Sequence, residues 1–529
     1  IDLSPDQPTP VVVRNRLPDH QAISPQLMAD QDDLTALELN HLAQVLLPQR
    51  PDLLAALVKS RLKDCQQDGQ LFVKRNTSPF IKPYREPPML AGLSLEIFEV
   101  NRDQAFLETV FPMLCQVTQP WLFTHPGSTQ GRPFTWQNLD QCQLYAGHFP
   151  FDTWEETGRG LALQYVESPA LLTMLLREVL SLKKMAEILQ DLVSINQYET
   201  LWRELRKKLD AFWNEKESAY MYRDVQSKQT PIGERLLCAS YQEEFSIDHK
   251  FSTPQRLICH IQASDERTRV CHVTFNGVDD AGQAVVEVFK PGGIRWVAAQ
   301  SHLTTKHLYT ELKSIGVKGL GREDQIILES AGFAHHDITC LAPLWTGDFT
   351  DDRLNALLDK TINVQDPNLS RGLPEVYPLV GPLPEGLENS VNVLWNTLIL
   401  QGLASNGYRE TAADLFSNLM ASIIGGLRDY HGFFPNFQVS DGRPVGKPNA
   451  ISGLAPIRLF LEIAGVRILT PIRVALWGGN PFPWPFEVDW QGLSIRREDK
   501  RTSINFPDGS TCTYEGSEPV LVTPESGET

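Results

Sequence analysis

The sequence predicts a mainly α protein built of paired amphipathic helices, with an inserted β domain and a small β module at its C-terminal end. Three observations predict this fold class. Apolar residues recur at helical spacing over most of the chain, β-branched residues alternate with polar ones in its middle, and Pro-rich turns lead into further short strands near its end. The chain has 529 residues, of which 42% are hydrophobic, so it can bury a large core.

The helical pattern comes in two stretches, which we place at 23–230 and 339–465, after an N-terminal arm at 1–22. In each stretch, short turns join consecutive helices. Each helix is apolar on one side and charged on the other, as the helices of a ring or bundle are. The apolar stripes are clearest at 169–192 and 408–427. By periodicity we count about eleven helices.

The β pattern occupies the segment 231–338, where alternating stretches such as Arg256 to Gln262 and Ala284 to Phe289 are separated by turn residues. Because helical pairing resumes afterwards, we predict that this segment is a domain inserted between the two helical stretches. A C-terminal β module and tail take up 466–529, and the Asn-Pro-Phe-Pro-Trp-Pro run at 480–485 is a rigid connector within it.

Composition excludes two classes of partner. The 48 Lys and Arg residues against 65 Asp and Glu residues give a formal net charge of -17, which repels phosphate backbones and anionic lipid headgroups. No apolar run reaches the roughly 18 residues of a membrane-spanning helix, and residues 1–10 lack the features of a signal peptide. We therefore expect no nucleic acid, no membrane and a cytoplasmic location. The sequence predicts no oligomeric state.

The cysteines argue against a metal site and against a disulfide framework. None of them forms a CxxC pair; they stand at positions 65, 115, 142, 238, 259, 271, 340 and 512. One doublet, Cys259-His260 with Cys271-His272, resembles a ligand set on two strands of a hairpin. Alternation along a strand points the Cys and the His to opposite faces, however. We predict no metal and no cofactor.

Three long segments between helix pairs are rich in aromatic, acidic and polar residues: Trp121 to Glu167, Asp366 to Asn389, and His431 to Asn449. In an array of antiparallel helix pairs, the segments that join one pair to the next gather at one end. Connections this long in a compact domain are usually functional. We therefore expect the three segments to converge at one mouth of the helical array and to form a site there.

Aromatic side chains interleaved with carboxylates suit a saccharide. The CH faces of a sugar ring stack on Trp and Tyr, while its hydroxyls take hydrogen bonds from Asp, Glu and Arg. The chain has 11 Trp, 12 Tyr and 24 Phe, so core packing is the alternative interpretation of any one of them. The pattern predicts a small saccharide or glycoside as the partner.

Several motifs, in their order along the chain, resemble those of the six-hairpin glycosidase superfamily of trehalases, processing α-glucosidases and glycogen-debranching-type proteins. Arg85 to Pro88 leads a helix pair as the superfamily's Gln-Pro-Pro motif does. Trp154 to Gly158 stands where the superfamily has Trp-Glu-Ser-Gly-x-Asp, and Leu387 to Tyr408 is similar to its late segment ending in Gly-Tyr. The resemblance implies an (α/α)6 barrel of twelve helices and an inverting glycosidase, in which one carboxylic acid protonates the leaving oxygen and one carboxylate activates water.

Two positions depart from the superfamily's pattern. Where the resemblance places the general acid, the sequence has Gly160, and in the stretch where it places the general base the sequence has Asn436 and Gln438. An amide side chain cannot accept a proton from water at neutral pH. Either neighbouring carboxylates have taken over these roles or the hydrolysis has been lost.

The resemblance therefore directs attention to the carboxylates around these positions. For hydrolysis of an α-glucosidic or related small saccharide, we predict Glu156 or Asp152 as the acid and Glu375 or Asp441 as the base. We predict that the sugar is held by Asp32, Asp33, Arg85, Trp136, Trp154 and Arg371. Asp32 and Asp33 also have a simpler interpretation, because carboxylates at a helix start are favoured by the helix dipole.

Two other classes of function stay open. The substitutions at Gly160 and Asn436 favour a saccharide-binding or structural protein on an enzyme scaffold, in which affinity survives without turnover. A non-hydrolytic sugar epimerase or lyase is the second alternative, for which His148 and His431 are natural bases. The bland interpretation of either histidine is a loop side chain that makes an ordinary hydrogen bond.

Overall fold

A computed structural model of the chain describes residues 34–73, 83–123, 131–145, 161–297, 299–333, 335–346, 349, 351–362, 369–378 and 389–525. These residues are both helical and sheet-containing, as the sequence predicts. No helix in this part of the chain combines the length and the apolar character that a bilayer span requires. The predicted domain boundaries stay predictions.

Ten α-helices and one long 3₁₀ helix lie in the described ranges, in line with the count of about eleven. The α-helices are α1 (Ala36–Leu46), α2 (Pro51–Lys63), α3 (Leu90–Asn101), α4 (Gln104–Leu122), α5 (Pro169–Leu189), α6 (Leu192–Asp210), α7 (Asp351–Thr361), α8 (Val393–Ser405), α9 (Arg409–Tyr430) and α10 (Ile457–Ile463). The 3₁₀ helix spans Ile338–Thr346 and contains Pro343, whose ring lacks the N–H that an α-helical bond requires.

Six of these elements pack in a closed cycle. Helix α1 packs on α3, α3 on α5, α5 on the 3₁₀ helix, the 3₁₀ helix on α8, α8 on α10, and α10 back on α1. Four other helices lie against this inner ring: α2 contacts α1 and α3, α4 contacts α3 and α5, α6 contacts α5, and α9 contacts α8 and α10. The paired helices of the sequence are thus alternately inner and outer elements.

Burial along the helices explains the two layers. The inner helix α5 is buried around most of its circumference, and so is α8, because each lies between the ring centre and the outer layer. The outer helix α6 buries only Tyr198, Leu205 and Leu209 along one stripe, and its other residues are half-buried or exposed. In the sequence, the inner helices therefore have a wide apolar stripe and the outer helix α6 has a narrow one.

Short two-stranded pairings connect the first helices. Their strands are β1 (Phe72–Val73), β2 (Tyr84–Arg85), β3 (Val166–Glu167), β4 (Trp213–Asn214), β5 (Ala219–Tyr220) and β6 (Arg223–Asp224). Strand β1 pairs with β2, β3 with β6, and β4 with β5, all antiparallel. The β3–β6 pair brings the chain after α6 back to the start of α5.

Between α6 and the 3₁₀ helix, the chain forms two antiparallel sheets around a hydrophobic cluster of their own. The sheet orders are β12-β13-β9-β15-β7 and β11-β10-β14-β8. Cys259 and Cys271 are buried in this cluster, whereas His260 is half-buried and His272 exposed, as strand alternation requires. The strands are β7 (Arg235–Ser240), β8 (Glu244–Gln255), β9 (Leu257–Gln262), β10 (His272–Asp279), β11 (Ala284–Phe289), β12 (Trp296–Val297), β13 (Gln300–Thr304), β14 (Tyr309–Lys318) and β15 (Gln325–Ser330).

The remaining strands fall into two groups. The first group lies among the later helices: β16 (His335–Asp337), β17 (Val376–Pro378), β18 (Ser390–Asn392), β19 (Asn436–Gln438) and β20 (Pro444–Val445). The second group forms two further sheets with a third hydrophobic cluster: β21 (Val466–Thr470), β22 (Arg473–Leu476), β23 (Phe486–Trp490), β24 (Leu493–Arg497), β25 (Arg501–Asn505), β26 (Thr511–Glu515) and β27 (Val520–Val522). Strand β21 packs against α10 and α3, and so joins these sheets to the helical ring.

Candidate functional site

Polar residues stand immediately before the inner elements, and hydrogen bonds link them. The backbone N–H of Ala36, at the start of α1, donates to Glu86 Oε1 at 2.7 Å, and Glu86 lies just before α3. The N–H of Ile338, at the start of the 3₁₀ helix, donates to the carbonyl of Glu375 at 2.8 Å. The N-terminal ends of these inner elements therefore lie together, and we call this end of the ring the mouth.

The described part of the first long segment, 131–145, ties several of these ends together. The Gln141 amide donates to the carbonyl of Arg85 at 2.7 Å, and the Gln143 amide donates to Thr35 Oγ1 at 2.7 Å. The carbonyl of Gln143 accepts from Asn392 Nδ2, at the start of α8, at 2.9 Å. The segment thus runs along the mouth from α1 and α3 to α8.

The other two long segments reach the same place. Asn392 on β18 faces Asn436 on β19, which belongs to the third segment. The N–H of Glu375, in the second segment, donates to the carbonyl of Ser390 at 2.6 Å. For their described parts, the predicted convergence of the three long segments at one end is confirmed.

Glu375 is fully buried at the centre of this convergence. Its two carboxylate oxygens accept the backbone N–H of Tyr145 at 2.9 and 3.0 Å, the Ser390 hydroxyl at 2.8 Å and the Asn392 amide at 3.0 Å. Tyr145 is the last described residue before 146–160, the segment that carries the two predicted acids. One of the two predicted bases is therefore held at the mouth, in contact with Tyr145.

Asp337 is a second buried carboxylate of the mouth. It accepts the Tyr222 hydroxyl at 2.6 Å, the Thr339 N–H at 2.9 Å and the Thr339 hydroxyl at 2.5 Å. Strand pairing sets Asp337 opposite Val376, the residue after Glu375. Burial raises the pKa of Asp337 to about 6, and the nearby charge of Glu375 adds to the shift. The mouth thus contains two interacting carboxylates, one of which is partly protonated near neutral pH.

Sequence reasoning missed Asp337. The sequence prediction placed Asp337 in the β segment 231–338 and gave it no role, whereas in the structure it immediately precedes an inner element of the ring. A local signal was present, because the acidic residue directly precedes the apolar run 338–345. An acidic residue before an inner helix is the feature it shares with Glu86 and Glu167.

Several buried polar atoms near the mouth have no hydrogen-bond partner among the described residues. They are Nε1 of Trp136, Nδ1 of His336, the hydroxyl of Tyr377 and Oδ1 of Asn436. Leaving a buried polar atom unpaired costs about 1–3 kcal/mol, so such atoms mark places where water or a ligand completes the structure. Burial also lowers the pKa of His336 to about 4, which keeps this ring neutral.

Two of the predicted sugar-holding residues are committed to contacts within the protein. Arg85 donates to the carbonyl of Pro120 and to Gln70 Oε1, both at 3.0 Å, and lies 5.3 Å from the centre of the Trp121 ring. Burial lowers the pKa of Arg85 to about 10. Trp136 is 1% exposed and belongs to the main hydrophobic core. Arg85 is next to the mouth because its carbonyl accepts from Gln141, and Trp136 belongs to the segment 131–145 that runs along the mouth.

Arg371 and Asp441 meet on the rim of the third segment. Arg371 donates through Nε to the carbonyl of Val439 at 3.3 Å, and Asp441 is exposed and paired with Arg443 at 2.6 Å. The backbone N–H and the guanidinium of Arg443, with Arg371 nearby, hold the pKa of Asp441 below its usual range. The two predicted bases therefore lie in different settings, since Glu375 is buried and Asp441 is on the surface.

The remaining predicted residues lie outside the described ranges. They are Asp32, Asp33, Asp152, Trp154 and Glu156, together with His148 and Gly160. His431 is described: it is the exposed residue that ends α9 in a left-handed conformation, with φ of 56°. No group of three or more metal-ligating side chains that could hold an ion occurs in the described part of the chain.

A family model matches the first helical stretch. Residues 34–242 match the mannosylglycerate hydrolase MGH1-like glycoside hydrolase domain. The predicted resemblance to the six-hairpin glycosidases is confirmed. The match also supports a glycosidase-like function for the chain. No curated protein matches the chain at a significant level.

Solved structures with a similar course of the chain include sugar-processing enzymes. Mannosylglycerate hydrolase from Thermus thermophilus in complex with Tris is 13% identical over 80% of this chain and 91% of its own, with a TM-score of 0.46. The same enzyme in complex with glucose is 14% identical over 80% and 90%, with a TM-score of 0.43. Neutral trehalase from Saccharomyces cerevisiae is 10% identical over 82% and 71%, with a TM-score of 0.44. No further conclusion about this chain rests on similarities this weak.

Proposed function

We propose that this protein is a glycoside hydrolase that acts at the mouth on an α-glucosidic or related small saccharide. The observation that carries the proposal is the buried carboxylate of Glu375, held at the end of the ring where the three long segments converge. The family match over 34–242 supports the reaction class. The closed cycle of six inner elements supports an (α/α)6 barrel, with the segment 231–338 as an inserted domain.

In the proposed inverting mechanism, Glu375 is the general base and Glu156 or Asp152 is the general acid. The base takes a proton from water as that water attacks the anomeric carbon, and the acid gives a proton to the leaving oxygen from the opposite side. The two carboxyl groups then stand roughly 6.5–9.5 Å apart. The hydrogen bond from Tyr145 to Glu375 supports this pairing, because Tyr145 leads directly into the segment that carries both acids.

Asp337 has a positioning role in this proposal. The charge of Glu375 contributes to the raised pKa of Asp337, which pairs with the residue that follows Glu375. We propose that the sugar lies above these carboxylates, between them and Arg371 on the rim, and that Trp154, Asp32 and Asp33, as the sequence predicts, also contact it.

The test is turnover of a panel of substrates. The panel contains α-glucosides, α-mannosides, trehalose and mannosylglycerate, the last because the matched family is described by that substrate. We expect release of a monosaccharide from at least one member, with inversion at the anomeric carbon. Glu375→Gln should lower the rate about 10²–10⁴-fold, the usual contribution of a general base. Glu156→Gln and Asp152→Asn then identify the acid by the larger loss.

The matched control is Glu108→Gln, an identical change at an exposed glutamate of the outer helix α4. It should keep the full rate. Full activity in Glu375→Gln, together with a large loss in Asp441→Asn, would transfer the role of base to Asp441. Absence of turnover on every substrate would reject the hydrolase.

A second candidate function is saccharide binding without turnover. Asn436 favours it, because this amide occupies the stretch where the resemblance places the base, and its buried Oδ1 has no partner among the described residues. A binding protein would show a saturable rise in melting temperature with a sugar of the panel and no product. Loss of that shift in Asn436→Leu, with no turnover in the parent protein, would favour binding over hydrolysis.

A further inference from the structure

A cavity of about 200 Å³ lies at the opposite end of the inner ring from the mouth. It is enclosed by the later turns of α1 and α3, by α10, and by strands β21 and β23 of the C-terminal sheets. Gln44, which lines it, lies nine residues beyond Thr35 on α1, and at the helical rise of 1.5 Å per residue this is about 14 Å along the axis. The cavity is therefore separate from the candidate active site.

The charged groups that line this cavity leave an excess of negative charge, since Glu96, Glu99, Glu462 and Asp489 stand against Arg458 and Arg467. Arg458 pairs with Glu96 at 2.6 Å and with Glu462 at 3.1 Å. Arg467 pairs with Glu462 at 3.0 Å and with Glu99 at 3.6 Å. Both guanidinium groups are thus committed to carboxylates, and no cationic group among these is left over for an anionic ligand. The lining therefore disfavours an anionic ligand.

Two lining side chains carry buried polar atoms that lack a partner within the described ranges. Oε1 of Gln44 is a free acceptor on a side chain that is 4% exposed, and Nε of Arg467 is a free donor. Each unpaired atom costs about 1–3 kcal/mol, so the complete structure is expected to supply a partner from the adjacent space. A hydroxyl group both donates and accepts, and so a ligand hydroxyl suits an acceptor and a donor on side chains that line the same cavity.

Most of the rest of the wall is apolar and includes an aromatic ring. Trp490, at the end of β23, is half-buried and lies beside Leu469 and Leu461. A sugar ring presents apolar CH faces to such a surface and hydroxyls to polar groups at its edge. The volume holds several waters but falls below the roughly 300–1,000 Å³ of sites for drug-sized ligands. One sugar unit is the size of ligand that fits.

We propose that this cavity is a second saccharide-binding site, for one uncharged sugar unit, built between the helical ring and the C-terminal sheets. Gln44 accepts a hydrogen bond from a sugar hydroxyl, Arg467 donates one through Nε, and Trp490 contacts the apolar face of the ring. The site binds and does not catalyse. It holds a sugar whether or not the mouth hydrolyses one, because none of its groups belongs to the mouth.

The test observes Trp490 directly. The protein is labelled with 5-fluorotryptophan, and the fluorine signal of Trp490 is assigned by its disappearance in Trp490→Phe. Methyl α-D-glucopyranoside and methyl α-D-mannopyranoside are then titrated, with D-gluconate as the anionic probe. We expect a saturable shift of the Trp490 signal with at least one methyl glycoside and none with gluconate. Gln44→Leu removes the free acceptor and should raise the dissociation constant of that methyl glycoside roughly tenfold.

Two further variants keep the outcome decisive. Glu375→Gln, at the mouth, should leave the titration of the Trp490 signal unchanged, which separates this site from the candidate active site. If Gln44→Leu fails to fold, Trp490→Ala replaces it, and calorimetric binding of the same methyl glycoside should weaken to a similar extent. A Trp490 signal that no methyl glycoside moves, or that gluconate moves equally, would overturn the proposal. An unchanged dissociation constant of the methyl glycoside in Gln44→Leu, or in Trp490→Ala where that variant replaces it, would also overturn the proposal.

Discussion

Two buried carboxylates at the mouth are held differently from those at the opposite end of the inner ring. Glu375 and Asp337 accept hydrogen bonds from neutral hydroxyl, amide and backbone N–H groups, whereas Glu86 and Glu167, which also precede inner helices, are paired with Arg61 and Arg223. At the opposite end, Glu96 and Glu462 are paired with arginines. Neutral donors leave the cost of burying the charge largely in place, whereas a guanidinium offsets it.

The pKa shifts follow this difference. Burial raises the pKa of Asp337 to about 6. Burial also acts to raise the pKa of Glu462, but Arg458 and Arg467 outweigh it, and the pKa of Glu462 is lowered. A carboxyl that titrates near neutral pH can exchange protons with a substrate, and one locked as an ion cannot. The difference between Asp337 and Glu462 supports the proposed chemistry at the mouth.

Arg458→Met gives the largest expected effect on stability. It removes the guanidinium that pairs with Glu96 and Glu462 and leaves both carboxylates near an apolar side chain. We expect the free energy of unfolding to fall by about 3–5 kcal/mol, the usual cost of breaking a buried pair. Chemical denaturation measures it. Arg428→Met, which breaks an exposed pair with Asp429, is the control and should cost less than about 1 kcal/mol. Equal losses would remove the distinction between the two ends.

Asp337→Asn tests the mouth through pH. The folded state holds the pKa of Asp337 at about 6, above its ordinary value of 3.8, so the folded protein binds more protons than the unfolded chain between these values. Stability from this group is therefore lost as pH rises from about 4 to about 6. The difference in free energy of unfolding between wild type and Asp337→Asn should change by about 3 kcal/mol across this window, since each pKa unit is worth about 1.36 kcal/mol.

Denaturant titrations of both proteins at several pH values measure this difference. Other buried groups contribute equally to the two proteins and cancel. A difference that stays constant from pH 4 to pH 7 would show that the pKa of Asp337 is not raised, and the mouth would then resemble the opposite end.

The sequence predicted the features that depend on residues close together along the chain. The stripes of α5 and α9 are local, because residues three and four positions apart share a helix face. Convergence of the long segments followed from the pairing of helices. The contact of Asp337 with Glu375 was not predictable, since its strand register joins residues separated by almost forty positions. Arg85 shows the same limit, because its partners Gln70 and Pro120 lie in two other elements.

Ser390→Ala should have a smaller effect than either of the first two changes. It removes one of the neutral donors to Glu375, the hydroxyl at 2.8 Å, and leaves the bonds from Tyr145 and Asn392. We expect a loss of about 1–3 kcal/mol in the free energy of unfolding, because a buried acceptor is left less satisfied. Ser405→Ala, at an exposed helix position, is the matched control and should change stability by less than about 0.5 kcal/mol. A loss no larger than that of the control would mean that Glu375 does not depend on this donor.

Asp441→Asn should have the smallest effect of all, and it sharpens the choice between the two predicted bases. Asp441 is exposed, and its partner Arg443 is exposed as well, so the pair contributes between about 0 and 1 kcal/mol to stability. Its lowered pKa makes it a weaker proton acceptor than an ordinary aspartate. If Glu375 is the base, Asp441→Asn should keep the turnover rate within about twofold of wild type and leave the melting temperature unchanged. Kinetics on the best substrate of the panel decide this, because a loss as large as that of Glu375→Gln would place the chemistry at the rim of the third segment.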